Sequence, residues 1–400
     1  MPPTPILGFI LTLSFYVTVT SALLTQNEDP DFRPYLLSTC QRVWARGQIC
    51  ERRQVKTEDG YILALHRLHT KNLNYGPPVL VIHGLLSASD QWLLSGRDRD
   101  LPSILADKGY DVWLGDTRGN AYSRKHISLN PDSPEFWDFS FHEVGYYDIP
   151  AMVDYIRLQS GHKKVYYVGY SLGGTDFLVM ASARPEYNKK IKAGILIAPY
   201  AYSPSNMNRV VQMLVSITTS VMRRWRMLRV FEVFPRSNAT LVMNHLLCMP
   251  KSSLMPLCLQ VYNQIFGLTE ELNEDHLIDL MSTFRAGSSA KTLNHCMQVM
   301  HMDSLRYYDY DDAENLKRYG QTDPPEYNLS LITAPVSLHY SSQDWFVSTE
   351  KVERLTSKLP NVIGKYLVSS RSFNHMDFLV GIHARELVYE DVTNVISNLT

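Results

Sequence analysis

Little in this chain points to a membrane bundle, a nucleic-acid binder or a repeat array. After the leader, no segment reaches the ~18 uninterrupted apolar residues expected of a spanning helix. Neither sign of charge is in surplus. Lys and Arg total 39 against 40 Asp and Glu, a formal charge of −1. That balance excludes the basic face that nucleic acid requires. No fixed period recurs, which excludes solenoids and propellers. No low-complexity tract and no Cys-x-x-Cys pair is present, so a structural zinc site has no support. What remains is a globular composition: 400 residues, 45% hydrophobic and 20% charged. It is too apolar for a disordered segment. At about 150 residues per domain the length allows two or three domains, or one larger α/β fold.

Residues Ile6 to Val19 form an apolar run shorter than the ~20 residues a spanning helix needs. The small residues Thr20, Ser21 and Ala22 follow, which suits signal-peptidase cleavage after Ala22. Residues 1–22 therefore read as a signal peptide, and the mature chain as lacking a transmembrane anchor. Secretory entry makes the sequons at Asn238, Asn328 and Asn398 glycan acceptors. It implies a secreted, extracellular or lysosomal destination. Five cysteines, Cys40, Cys50, Cys248, Cys258 and Cys296, leave at least one free or paired with another chain. Cys248 and Cys258 are close enough in sequence to close a small loop.

Gln54 to Leu65 reads as a hairpin, with Asp59-Gly60 supplying the positive φ of a tight turn. Short apolar runs follow at Val79–Ile82, Tyr110–Leu114, Val165–Val168, Ile195–Ala198, Val336–Tyr340 and Val362–Val368. Helical patterns separate them. One is Asp148–Leu158, with Asp148 as its expected cap and Pro150 in its first turn. Buried strands alternating with helices predict a mainly parallel sheet in an α/β fold. The rhythm breaks between about Tyr202 and Asn328. That stretch holds 11 of the 15 methionines and a basic cluster at Arg223, Arg224, Arg226 and Arg229. Methionine adapts to irregular apolar partners. The stretch reads as a helical insertion with a soft core, placed to cap the sheet, and compatible with a greasy pocket or a lipid surface.

The central chemical signal is Gly169-Tyr170-Ser171-Leu172-Gly173. A strand precedes it and helical Thr175–Ser182 follows. Small flanking residues permit the sharp turn that presents a serine nucleophile. Serine is a poor nucleophile unless a base takes its proton. Triad order on such a sheet is serine, then acid, then a histidine after the last strand, which selects His375. Asp344, just beyond Val336–Tyr340, is the preferred acid to hold the imidazole. Asp377 adjoins the histidine too closely, and Asp116 is the runner-up. The amides of Leu172 and Leu85 are the expected oxyanion donors, with Gly84 letting the second loop turn inward. His83 reads as an orienting or structural residue.

Together these pieces resemble the acid lipase family, which contains gastric lipase and lysosomal acid lipase. The resemblance runs from about residue 33 to 397. It is carried by Thr57–Leu63, Val81–Leu86, Gly109–Gly115, Ser133–Trp137, Tyr167–Gly169, Asn374–Phe378 and Val388-Tyr389. It implies an α/β-hydrolase core with a helical cap and lid, divided as core 23–201, cap and lid 202–328, and core 329–400. It implies hydrolysis of neutral lipid esters, triacylglycerol or sterol esters, at a droplet or micelle interface, with no cofactor or metal. It carries over Ser171, Asp344 and His375 as the triad. It pairs Cys248 with Cys258 and places a glycan on Asn328. A Cys40–Cys50 bridge is compatible with it, which leaves Cys296 unpaired. The chain departs from the family in having Tyr170 and Leu172 where His and Gln usually flank the nucleophile. Two other readings keep the scaffold: a shorter-chain carboxylesterase, and a non-catalytic lipid-binding protein. An intact triad speaks against the second.

Overall fold

The computed structural model describes residues 37–69, 76–203, 230–250 and 252–400. The leader at 1–22 lies outside them, as do Met207, Met213, Met222, Met227 and the four arginines of the basic cluster. After helix α1 (Thr39–Ala45), strands β1 (Ile49–Lys56) and β2 (Ile62–His69) form the expected hairpin. Gly60 supplies the turn with φ +102°. The chain then lays down β3 (Pro78–Ile82), helix α2 (Leu101–Asp107), β4 (Asp111–Gly115), helix α3 (Ile149–Ser160) and β5 (Val165–Tyr170). Helix α4 (Leu172–Ala183) and β6 (Ile191–Ile197) complete the first half. Strand β6 begins ahead of the apolar run at Ile195, because half-buried Lys192 and Gly194 interrupt the pattern.

Two short strands, β7 (Glu232–Val233) and β8 (Ser288–Ser289), pair apart from the main sheet. Strands β9 (Val336–Ser341) and β10 (Val362–Val368) return to it. The main sheet has eight strands in the order β1-β2-β4-β3-β5-β6-β9-β10. Strand β2 runs antiparallel to β1 and β4, and the remaining neighbours are parallel. Every residue of β3, β4, β5 and β9 is buried, as parallel strands covered on both faces require. The order reverses at β3, because β4 and β5, the next two strands along the chain, pair on opposite sides of it. A crevice opens at such a switch point, beyond the carboxyl ends of the strands. The loops after β3 and β5 therefore face one another.

Helical elements are inserted between β6 and β9. They are α5 (Asn238–Cys248), α6 (Met255–Phe266), α7 (Leu277–Thr283), α8 (Ala290–Met302) and α9 (Asp312–Tyr319). A Cys248–Cys258 disulfide ties α5 to α6, and a Cys40–Cys50 disulfide ties α1 to β1. Cys296 is free and buried. The insertion is fastened to the core by polar contacts. Arg236 pairs with Asp90 at 2.7 Å and Arg42 with Asp279 at 2.9 Å. Tyr200 donates to the Cys296 carbonyl, and His295 stacks on Phe141 with centroids 3.8 Å apart. Helices α10 (Thr349–Lys358) and α11 (Glu390–Asn398) finish the core. Among the described residues no helix is long and apolar enough to cross a membrane.

One expectation fails here. Asp148 does not cap a helix. The helical path starts earlier, at Ser140, whose Oγ accepts from the His142 amide while Glu143 accepts from the Ser140 amide. That capping box opens a short turn, which continues through a wider turn at Val144–Asp148 into α3. Asp148 thus lies inside the helix with φ −69° and ψ −52°. Its carboxylate instead accepts from the Arg118 amide at 2.9 Å and from Arg118 Nε at 2.8 Å. Arg118 also forks onto Asp59, and its guanidinium lies 4.0 Å from the centre of the Tyr61 ring. The sequence signal was ambiguous because an Asp ahead of a Pro fits a cap and a buried ion pair equally. Asp148→Ala separates the two roles. Losing a cap costs about 1 kcal/mol, whereas breaking a buried ion pair costs up to about 3–5 kcal/mol, here reduced because Arg118 keeps Asp59. Denaturant unfolding of the variant is expected to show the larger loss.

Candidate active site

The turn between β5 and α4 dictates where Ser171 goes. Its backbone sits at φ 54° and ψ −117°, a region that costs a non-glycine residue about 1–3 kcal/mol. Neighbouring hydrogen bonds hold it there. The Ser171 amide donates to the Ile197 carbonyl at 2.9 Å, and the Ser171 carbonyl accepts from the Gly174 amide at 2.9 Å. Crowding explains the glycine in the turn. A Cβ on Gly173 would come within 2.7 Å of the His83 carbonyl oxygen. The result is a half-buried serine presented above the carboxyl end of β5.

His375 arrives from the loop after β10. Its Nε2 is 2.9 Å from Ser171 Oγ and its Nδ1 is 2.6 Å from Asp344 Oδ2. Asp344, in the loop after β9, is fully buried. Its other oxygen accepts from the amides of Phe346 and Val347 at 2.7 and 3.2 Å. Both carboxylate oxygens are therefore satisfied, and the acid is fixed toward the imidazole. The three side chains form one connected chain of hydrogen bonds, reaching from a dry carboxylate to a half-exposed hydroxyl.

The two rejected acids lie elsewhere. Asp377 Oδ2 accepts from the Asn374 amide and from Thr269 Oγ1, both at 2.6 Å. It braces the histidine loop from behind. Burial pushes its carboxyl up to about 7. Asp116 accepts from the Ser89 amide and from Asn120, and lies 3.2 Å from His66. Burial opposes its charge, but the His66 contact holds its carboxyl below the usual range.

The loop after β3 supplies the facing wall. His83 Nε2 accepts from the Thr117 amide at 3.2 Å, so its other nitrogen carries the proton and donates to the Gly84 carbonyl at 2.8 Å. This buried imidazole pins the loop, and burial lowers its pKa. A Cβ on Gly84 would lie 3.2 Å from Ser171 Cβ, so the loop and the serine pack in direct contact. Among the described residues the amides of Leu85 and Leu172 donate to no group. Leu172 opens helix α4, where the first N–H groups have no intrahelical acceptor. Two unspent donors thus flank the hydroxyl, with the positive end of a helix dipole behind one of them. Among the described residues no group of three His, Cys, Asp or Glu side chains could hold a metal ion.

Tyr170, which the sequence marked as a departure open to altering lid contacts, substrate preference or pH optimum, packs against the histidine instead. Its hydroxyl donates to the His375 carbonyl at 2.8 Å, and its ring lies 5.0 Å from the imidazole. Phe346 flanks the opposite side at 5.0 Å. A buried Tyr beside a nucleophile signals a polar tip in search of an acceptor, but the acceptor is distant in sequence. Tyr170→Phe keeps the ring and deletes one hydrogen bond, worth about 0.5–1.5 kcal/mol. The expected outcome is a stability loss of that size in denaturant melts, with Ser171 still open to covalent labelling.

Comparison with known proteins identifies the family and the fold. A family model described as alpha/beta hydrolase fold matches residues 77–382, and one described as partial alpha/beta-hydrolase lipase region matches residues 39–96. The chain is 35% identical to Lipase 1 of Drosophila melanogaster over 91% of its own length and 80% of that protein. It is 31% identical to the gastric triacylglycerol lipase of Homo sapiens over 97% of its own length and 98% of that protein. The crystal structure of naproxen esterase from Bacillus subtilis shares the fold at a TM-score of 0.51 and 14% identity, over 93% of this chain and 100% of that one. The chain therefore belongs to the lipase/esterase family of the α/β-hydrolase fold, related to the gastric lipases, and is a hydrolase of that fold.

Proposed function

We propose that the chain hydrolyses carboxylic esters of neutral lipids through a serine acyl-enzyme. The observation that carries this reading is the unbroken Asp344–His375–Ser171 chain beside the two unspent amides. His375 Nε2 takes the proton from Ser171 Oγ as that oxygen attacks the ester carbonyl carbon. The carbonyl oxygen becomes an oxyanion and accepts from the amides of Leu85 and Leu172. Collapse breaks the ester bond, and the imidazolium returns its proton to the departing alcohol. Water then repeats the sequence on the acyl-serine and releases the carboxylic acid. Asp344 stays ionised throughout and stabilises the imidazolium.

The lipid character of the substrate rests on the inserted helices. Phe346 beside the imidazole continues into Phe266 at the end of α6, and Phe266 packs on Phe284 after α7. That aromatic wall suits an acyl chain. Leu246, Leu254, Leu257 and Leu268 stand exposed on and around α5 and α6, as a surface that meets a droplet or micelle would present them. Two disulfides favour an oxidising compartment. Asn238, Asn328 and Asn398 are all exposed, so a secretory route would leave each of them open to glycosylation. Residues 202–328 would then act as the cap and lid.

Ser171→Ala is expected to lower ester turnover by about four orders of magnitude or more, and Asp344→Asn by about 10⁴. Both should leave the fold intact by circular dichroism. A chain-length series of glyceryl and cholesteryl esters should show kcat/KM rising toward long acyl chains. Full hydrolysis by purified Ser171→Ala would sink the reading.

A further inference from the structure

Helix α4 carries an acidic side chain that the reaction above does not use. Asp176 stands four residues beyond Leu172 on a helix whose residues 172–182 are all buried. It is 3% exposed. Side chains separated by four residues share one helix face, and each leans back over the preceding turn. The Asp176 carboxyl therefore lies over the turn that holds the Leu172 amide. Its Oδ1 has no hydrogen-bond partner among the described residues.

A chamber of about 20 Å³ sits between Asp176 and the nest. Its walls include Leu85, Leu172, Asp176, Thr117, Arg118 and Thr292. One water needs roughly 10–15 Å³ of such space and two or more polar partners, so the chamber has room for one. The walls have few donors to spare for a carboxylate. The Arg118 guanidinium is spent on Asp148 and Asp59. Thr117 meets His83, and Thr292 meets Ser289 and Phe139.

We propose that Asp176 is a positioning residue, which as a neutral acid holds one water in the chamber beside the oxyanion nest, and whose loss of a proton disables turnover. This rests on the hydrolase reading above. An ionised carboxyl here would be a buried charge with at least Oδ1 unpartnered, costlier than the neutral acid. It would also place a negative charge beside the site where the oxyanion forms, repelling it in a low-dielectric setting. Every neighbouring element bears this out. Asp148, in the turn before α3, opposes a second negative charge, and burial holds the Asp176 carboxyl well above the usual carboxylate range. The other titratable groups that sense it are Tyr167 on β5, Cys296 on α8 and Tyr327, all neutral at neutral pH. His83 on the same chamber wall is held neutral by burial. Among the described residues the cation on the chamber wall, Arg118, is already matched by two carboxylates.

The sign follows directly. Below the folded pKa of Asp176 the acid is neutral and the nest works. As pH rises through it, the anion forms and turnover falls. The test is the pH profile of kcat/KM on a soluble short-chain ester, for wild type and Asp176→Asn, with Ser171→Ala as the background. Wild type should lose about tenfold or more between neutral and alkaline pH, and the asparagine variant should lack that limb. The same limb in both proteins, or a variant equally impaired at every pH, overturns the proposal. Infrared spectroscopy compares wild type with Asp176→Asn, because the raised carboxyl of Asp377 also contributes a protonated-acid band near neutral pH. A protonated-carboxyl C=O band that the variant lacks must be present in wild type at neutral pH and bleach in step with the alkaline loss. Absence of that band, or a band unchanged across the limb, overturns the proposal as well. If wild type turns over no ester, the hydrolase reading fails separately, because the band still reports on Asp176.

Discussion

The backbone of Ser171 is the constraint on which the rest of the molecule depends. A non-glycine residue at φ 54° and ψ −117° persists only where its surroundings leave no alternative. Here the surroundings are the carboxyl ends of β3, β5 and β6, which meet at the switch point of the sheet. Ile197 at the end of β6 accepts the Ser171 amide. The His83–Gly84 loop after β3 presses on the serine and on Gly173. The sheet order thus creates the strain and also contains it. In return the turn aims a hydroxyl outward and leaves the first amide of α4 unspent, two features that acyl transfer needs together.

The polar groups around the site follow one rule. Those that hold position are dry and hydrogen-bonded, Asp377 through one oxygen only, and the Ser171 hydroxyl is half open. Asp344 has both oxygens engaged. His83 has both nitrogens engaged. Asp377 and Asn374 bond to each other behind the base, and Tyr262 reaches Asn374 from α6. Tyr170 ties down the backbone of His375. Each bond is worth only about 1 kcal/mol net. Their combined effect is to remove the freedom of the imidazole to point anywhere but at the serine. Catalysis by positioning needs that restriction more than it needs stability.

Much of this was readable before any coordinates. Buried parallel strands appear as continuous apolar runs, so β3, β5 and β9 were visible with nearly their true bounds; β10 was visible too, although it lies at an edge with only Val368 buried. The turn motif and the expected order of residues along the chain singled out Ser171, Asp344 and His375, which the structure joins by hydrogen bonds, because the sheet fixes which loops share an edge. What stayed hidden has physical reasons. Strand β1 lies at an edge, where Arg52, Arg53 and Gln54 face water and dilute its apolar signal. The start of β6 was masked by Lys192 and Gly194. Asp148 satisfied the rules for a cap while serving an ion pair with a residue far away in sequence. Tyr170 bonds to the His375 carbonyl and Asp176 borders the pocket wall of Leu85 and Leu172 only once the chain is folded, and local pattern carries no record of either.

The helical insertion leaves the chain after β6 and rejoins it at β9, and these two strands are direct neighbours in the sheet. Entry and exit therefore stand side by side. The hydrogen-bonding of β6 with β9 closes the sheet across that gap regardless of how much chain loops out between them. Loop length adds only slowly to the entropy of closure. The insertion can be lengthened, shortened or exchanged for another with little disturbance to the strand register beneath it. The core supplies a fixed reaction, while this one seam is open to variation in what the protein accepts.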